Sequence, residues 1–216
     1  MQEVRQGVPV FAAAYDLIAR VFIEGPAALA PGVRPPIEEL LAALLQLDPQ
    51  VADEAAVLLA ADPAAHAQEF EEALRLPLPG RAVPACASVY LDGGTLYGRT
   101  SLKVMELYER EGLAVGGRAP GGQPLPPDHA GCEAAFLALL ESGGDARGDE
   151  LRAQRLRREF LANHILRWVP QFAESLRQRG HLWLAGFAQL FAHLAQLDLA
   201  RVEEVLQASP SPERKD

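Results

Sequence analysis

Apolar residues along the chain recur at helical spacing. Phe11, Ala14/Tyr15, Ile18 and Val21/Phe22 put one apolar stripe on residues 9–24, and Gly25–Pro26 ends it. Segment 26–36 reads as a loop. Helical patterns follow at 37–47, 50–61 and 64–76, punctuated by Asp48–Pro49 and Asp62–Pro63. In both pairs Asp can cap the helix and Pro can occupy its first position. Segment 77–84, "PLPGRAVP", is a second break. "ACASVYLDGGTLYG" has local strand character at Val89, Tyr90 and Leu91. No second run offers a pairing partner, so it is expected to be extended loop or a short helix.

Thr100 or Ser101 starts a helix through Glu111, closed by Gly112. Loop 114–127 holds four Gly and four Pro and reads as a hinge, a length of loop that permits domain-swapped dimers. Helices are expected at 128–142, 148–168, 170–179 and 181–207, and the tail 208–216 as a flexible end. In "LWLAGFAQLFAHLAQLDLA", residues 182–200, only Gln189, His193 and Gln196 form a polar stripe, which predicts a nearly buried central helix. The sum is a compact, all-α, single-domain bundle of about nine helices over 1–207, without repeat or heptad.

Composition agrees. Ala and Leu dominate, aromatics are 6%, and 49% of the 216 residues are apolar, enough for a full core. Charge adds an asymmetry. The net −9 is concentrated in residues 1–80, with twelve Asp/Glu against four Lys/Arg, while residues 81–216 are nearly balanced. That argues against nucleic acid or an anionic membrane and suits a basic peptide or protein, although solubility alone explains it too. Cys86 and Cys132 make no CxxC, and the early apolar run is broken by Asp16 and Arg20, as a secretory segment is not. A soluble, cytoplasmic chain with no stable membrane association is expected.

Enzyme signatures are missing: no Gly-rich phosphate loop, GxSxG, HExxH or HRD-type loop. The "GG" pairs are turn glycines. His129 and Glu133 are four apart and share a helix face; with His164 they are the candidate metal or small-molecule site of a helical enzyme, with His193, Cys132 and Asp128 as further ligands. The spacing is not diagnostic, and no metal or cofactor is expected. Asp128 follows Pro127 and is placed to cap the helix after it, leaving His129 as a first-turn surface residue. Trp168 and Trp183 are expected in the core, with a groove wall as the alternative. Arg147, Arg152, Arg155, Arg157 and Arg158, interleaved with Asp149, Glu150 and Glu159, read as a solvated helix face.

Three segments together resemble the TorD/DmsD/NarJ-type redox-enzyme maturation chaperones. "PACASVYLDGGTLYGRTSLKVMELYEREGL", residues 84–113, is similar to a P-x-Y-x-S-V-[FY] segment with a short helix and a "Y…GL" ending. "PPDH" with its apolar helix, residues 126–140, is similar to the E-P-x-D-H signature, Leu125 standing in place of the Glu. "EFLANHILRWVPQFAESL", residues 159–176, is similar to F-L-x-x-H-[LI]-x-x-W. Their order and spacing match over 84–207, whereas 1–83 matches only in being acidic and helical. Cys86 sits where an aromatic is common.

The resemblance implies a non-enzymatic cytoplasmic chaperone of a molybdopterin-containing oxidoreductase. It would bind the N-terminal leader of the client's catalytic subunit, often a twin-arginine signal peptide, and hold the apoenzyme while cofactor is inserted. The residues it implies for client binding are Ser88, Tyr90, Pro126, Asp128, His129, Glu133, His164 and Trp168, with Asp128 both capping its helix and meeting the peptide. A permanent structural subunit of a reductase complex is the further alternative. Monomer and domain-swapped dimer both remain open.

Overall fold

The computed structural model describes residues 9–30, 37–76, 78–114, 122, 124–142 and 150–208. Most of the expected hinge, Arg147, part of the 26–36 loop and the last eight residues of the tail lie outside them. The first helix, α1 (Val10–Glu24), ends at Gly25, and residues Gly25–Leu29 continue as a 3-10 turn rather than open loop. α2 (Ile37–Leu47) and α3 (Pro49–Ala60) form a hairpin about Asp48, whose carboxylate accepts the N–H groups of Gln50 (2.8 Å) and Val51 (3.1 Å). Asp62 does the same for Ala64 (3.0 Å). The expected helix at 64–76 is a composite: a 3-10 turn at Pro63–His66, then α4 (Ala67–Phe70), then a π turn at Glu71–Arg75.

After an extended stretch come α5 (Ala87–Leu91), the short-helix alternative for the "ASVYL" run, and α6 (Arg99–Arg110), followed by Gly112 with φ +75°. α7 (Ala130–Glu141) precedes α8 (Glu150–Phe160), a π turn at Leu161–Ile165 and α9 (Leu166–Gln178). These last three form one rod from 150 to 178. The break expected before Pro170 is absent: α9 runs through Pro170, which offers no N–H to the Leu166 carbonyl, and the irregularity falls one turn earlier. α10 (Leu182–Ala208) closes the fold. With the rod counted as one, the described residues form nine helices and no strand, an all-α single domain. No helix among them is long and apolar enough to cross a membrane.

Packing follows the apolar stripes. α1 lies along α7, and α9 along α10. Gly131 lets α1 and α7 approach: a Cβ there would sit 2.5 Å from Ile23 Cγ1 and 2.9 Å from the Ala19 carbonyl. α10 is buried on most of its circumference, with Gln189 and Gln196 exposed and His193 half-buried, the polar stripe read from the sequence. Trp168 and Trp183 are core residues, 0% and 4% exposed, so neither walls a groove.

One feature of the core is polar. Arg157 of α8 is fully buried rather than part of a solvated face. Its Nε donates to Asp198 Oδ2 (2.8 Å), and its two terminal nitrogens reach Asp198 Oδ1 and Glu141. Tyr15 Oη donates to Asp198 Oδ2 (3.0 Å), and Arg201 donates to Glu141 (2.7 Å). Two carboxylates and two guanidiniums thus balance at the meeting point of α1, α7, α8 and α10. Burial and the neighbouring Asp198 charge both push the Tyr15 hydroxyl pKa up, so it stays a neutral donor.

Removing one member leaves a buried charge unmatched. Asp198→Ala should cost roughly 3–5 kcal/mol, whereas Tyr15→Phe should cost only about 1 kcal/mol. Urea denaturation of the two variants measures both.

Candidate functional site

Extended chain on either side of the hinge brings the site together. Residues 85–87 and 128–130 run antiparallel as a two-rung bridge: Ala87 N–H donates to the Asp128 carbonyl (3.0 Å), and Ala130 N–H to the Ala85 carbonyl (2.8 Å). The bridge fixes Asp128 opposite the start of α5. Its Oδ2 accepts the Ser88 N–H (2.7 Å), so Asp128 caps α5, a helix forty residues away, and not its own. The cap of α7 is His129, whose Nδ1 accepts the Gly131 N–H (3.2 Å). The expectation of an Asp128 cap with a surface His129 is therefore corrected: Asp128 is fully buried, and His129 is 7% exposed. The helix starts one residue later than the Pro–Asp pattern implied, and that single step exchanges the two roles.

One turn further along α7, Glu133 is fully buried. Its Oε1 meets His164 Nε2 at 2.5 Å, and its Oε2 accepts the Trp168 indole N–H at 3.0 Å. His164 and Trp168 are four apart on the rod and close on the carboxylate from one face. Trp168 stacks against Tyr90 (5.6 Å between centroids), and Tyr90 Oη donates to the Pro84 carbonyl (3.1 Å). The Pro126 carbonyl accepts the His129 N–H (3.1 Å), and Tyr108 of α6 donates to the Pro127 carbonyl (3.2 Å). The structure thus brings Ser88, Tyr90, Pro126, Asp128, His129, Glu133, His164 and Trp168 into one cluster. Only Tyr90, Pro126 and His164 are partly exposed; the others are interior.

Burial is the largest influence on the ionisable groups of the cluster. Burial pulls the His129 imidazole from its usual 6.5 down to about 4 against the opposing charge of Asp128. Burial raises the Cys132 thiol to about 12 and the Cys86 thiol further, with nearby carboxylates adding to both, so neither is a reactive thiolate. Burial raises Glu133 as well. At His164 burial pulls down, but the charge and hydrogen bond of Glu133 outweigh it and the pKa is raised. Glu133 and His164 satisfy each other, and among the described residues no group of three or more His, Cys, Asp or Glu is placed to hold a metal. His193 instead faces Glu54 at 3.4 Å.

The sequence reading missed a groove. A cleft of about 620 Å³ opens between α6 and the rod, with Val104, Leu107, Leu156 and Phe160 as its apolar lining. Lys103, Glu106 and Arg110 reach it from α6, and Glu159, Asn163 and His164 from the rod. His164 links this cleft to the buried cluster, since Glu133 holds Nε2 while the ring stacks on Phe160 (4.9 Å). The available signal was the repeat of charges at 103, 106 and 110, one face of α6 beside the apolar Leu107.

The described residues thus present an all-α frame with an apolar-lined cleft, inert thiols and a histidine locked to a buried carboxylate. The chain's family is specific. The model of the nitrate reductase delta subunit family matches residues 27–174, and the chain belongs to that family, one of chaperones and not of enzymes. The match reaches well into the N-terminal part that the sequence motifs left uncovered. The chain is also similar to the chaperone protein TorD of Vibrio cholerae serotype O1, in the Classical Ogawa 395 strain and in strain M66-2. Each is 30% identical over 127 residues, 56% of this chain and 55% of the relative. The chain spans about half the length of these curated relatives. No solved structure matches it.

Two predictions test the cluster. Asp128→Ala strands the buried Ser88 N–H and should cost about 1–3 kcal/mol. Ser88→Ala should be nearly neutral, because Ser88 Oγ has no hydrogen-bond partner. Thermal melts of both variants decide this. The second concerns acid. His129 binds a proton near pH 6.5 when unfolded and near 4 when folded. Between those values the unfolded chain holds more protons, so stability rises with pH and is lost as pH falls through the window, at about 1.4 kcal/mol per unit. His129→Asn keeps a capping acceptor but cannot titrate. It should flatten the fall in urea midpoint between pH 6.5 and 4; an unchanged slope would assign the acid loss elsewhere.

Proposed function

We propose that this chain is a cytoplasmic chaperone for maturation of a molybdopterin-containing oxidoreductase. It binds the N-terminal leader of the client's catalytic subunit, of twin-arginine type, and retains the apoenzyme until cofactor is inserted. The observation that carries the reading is the cleft between α6 and the rod: it is of ligand size, apolar within and charged at the mouth, and one wall is His164 of the family-type His–x–x–x–Trp pair. The acidic excess of residues 1–80 supports a basic partner. Family membership and the name of the TorD relatives support the chaperone role.

In this reading the signature residues act on one another and hold the cleft in shape. The leader lays its apolar stretch in the cleft while its arginines meet carboxylates at the surface. Burial of apolar area supplies most of the affinity, because exposed ion pairs are screened and worth less than about 1 kcal/mol each. Charge speeds encounter. The family's name, that of a reductase subunit, favours a second reading as a permanent component of such a complex. Purification with the client at fixed stoichiometry through repeated dilution would support that reading over a transient chaperone.

Stopped-flow titration of a labelled synthetic twin-arginine leader at several salt concentrations tests the proposal. Association should slow as salt rises while dissociation changes little, and replacing apolar leader residues should weaken binding more than Arg→Lys does. Failure of the leader to bind, or an affinity that collapses on Arg→Lys alone, overturns it.

A further inference from the structure

The walls of the cleft carry two carboxylates that the fold does not use. Glu106 projects from α6 and Glu159 from α8, so they line the cleft from different elements. Both are exposed, and neither has an ion-pair or hydrogen-bond partner among the described residues. The positive groups at the same cleft lie beside acids of their own. Arg110 lies 3.4 Å from Glu111, a carboxylate that Arg152 holds at 2.5 and 2.7 Å. The charge of His164 is answered by Glu133 beneath it. Lys103 and Arg110 therefore share the cleft with two carboxylates that no described residue engages. The same cleft carries an apolar surface of Leu107, Leu156 and Phe160.

We propose that Glu106 and Glu159 select the occupant of this cleft: a peptide stretch in which a basic side chain lies between the two carboxylates and its apolar neighbours rest on Leu107, Leu156 and Phe160. This rests on the leader-binding reading and locates its charge readout on α6 and α8 rather than on the acidic N-terminal helices. Two acids on separate walls suit a side chain that passes between them. A guanidinium, whose donors fan out in one plane, suits carboxylates better than an ammonium, which is a point charge. An acidic or uncharged side chain in the same place leaves both carboxylates without a counter-charge.

The test uses the full chain, a labelled twin-arginine leader, and the same leader with both arginines changed to glutamine. Binding is measured by fluorescence anisotropy for the wild type, Glu106→Gln, Glu159→Gln and the double variant. Both side chains are exposed and unpaired, so unchanged circular dichroism and melting temperature are expected for all. Wild type should prefer the arginine leader. Each single change should reduce that preference by about two- to fivefold, as an exposed pair does. The double variant should bind the two leaders nearly equally and keep its affinity for the glutamine form. Preference that persists undiminished in the double variant overturns this inference while the leader-binding reading stands, because the basic group is then read elsewhere. If neither leader binds the wild type, both readings fall together.

Discussion

A carboxylate withdrawn from water has to be met by donors, and this fold withdraws three of them completely. Asp128, Glu133 and Asp198 are each 0% exposed. An unmatched buried charge costs several kcal/mol, a large share of the net stability of a domain. Each carboxylate therefore fixes the position of the segment that answers it. Asp128 Oδ2 holds the Ser88 N–H of α5, Glu133 holds His164 and Trp168 of the rod, and Asp198 holds Arg157 and Tyr15. The partners are far apart in sequence, so these contacts tie α5 to α7, α7 to the rod, and the rod to α10 and α1. Apolar burial supplies the driving force for collapse, and the three carboxylates decide which arrangement of greasy helices it ends in.

Helix positions were legible because local chemistry marks them. Asp48–Pro49 and Asp62–Pro63 place a cap beside a residue that fits only the first helical turn, and Gly112 and Gly25 supply the left-handed backbone that ends a helix. The role of a polar residue inside the fold was not legible in the same way. Arg157 sits between Arg155 and Arg158, and nothing within ten residues tells it from them. What distinguishes it is Asp198, 41 residues on, and the side of the helix that the core happens to take. Pro170 misled in the other direction: a helix that gives up one hydrogen bond survives where packing against α10 holds it, and the adjustment appears as the π turn at 161–165.

The candidate site divides along the same line. Its eight motif residues could be grouped from sequence because a His–x–x–x–Trp pair and a Pro–x–Asp–His turn are local patterns. That they meet one another rather than solvent is a tertiary fact. The cleft itself is made by α6 and α8, two helices whose facing residues carry no joint signature, so Glu106 and Glu159 read in sequence as ordinary surface charges.

This separation of frame from contact surface has a physical consequence. The rod is held by Glu133 and by Asp198, through His164 and Arg157, each about one turn from Phe160. α6 is anchored through Val104 and Tyr108, the latter bonded to the Pro127 carbonyl beside Asp128. Both walls of the cleft are therefore fixed before anything enters it. A ligand meeting fixed walls loses its own freedom but does not also have to order the protein, so more of the contact energy appears as affinity. Changes to Glu106 or Glu159 alter what the cleft accepts at little cost to the fold, whereas a change to Glu133 or Asp128 acts on the walls themselves. Selectivity can then vary on α6 and α8 while the buried carboxylates hold the architecture constant.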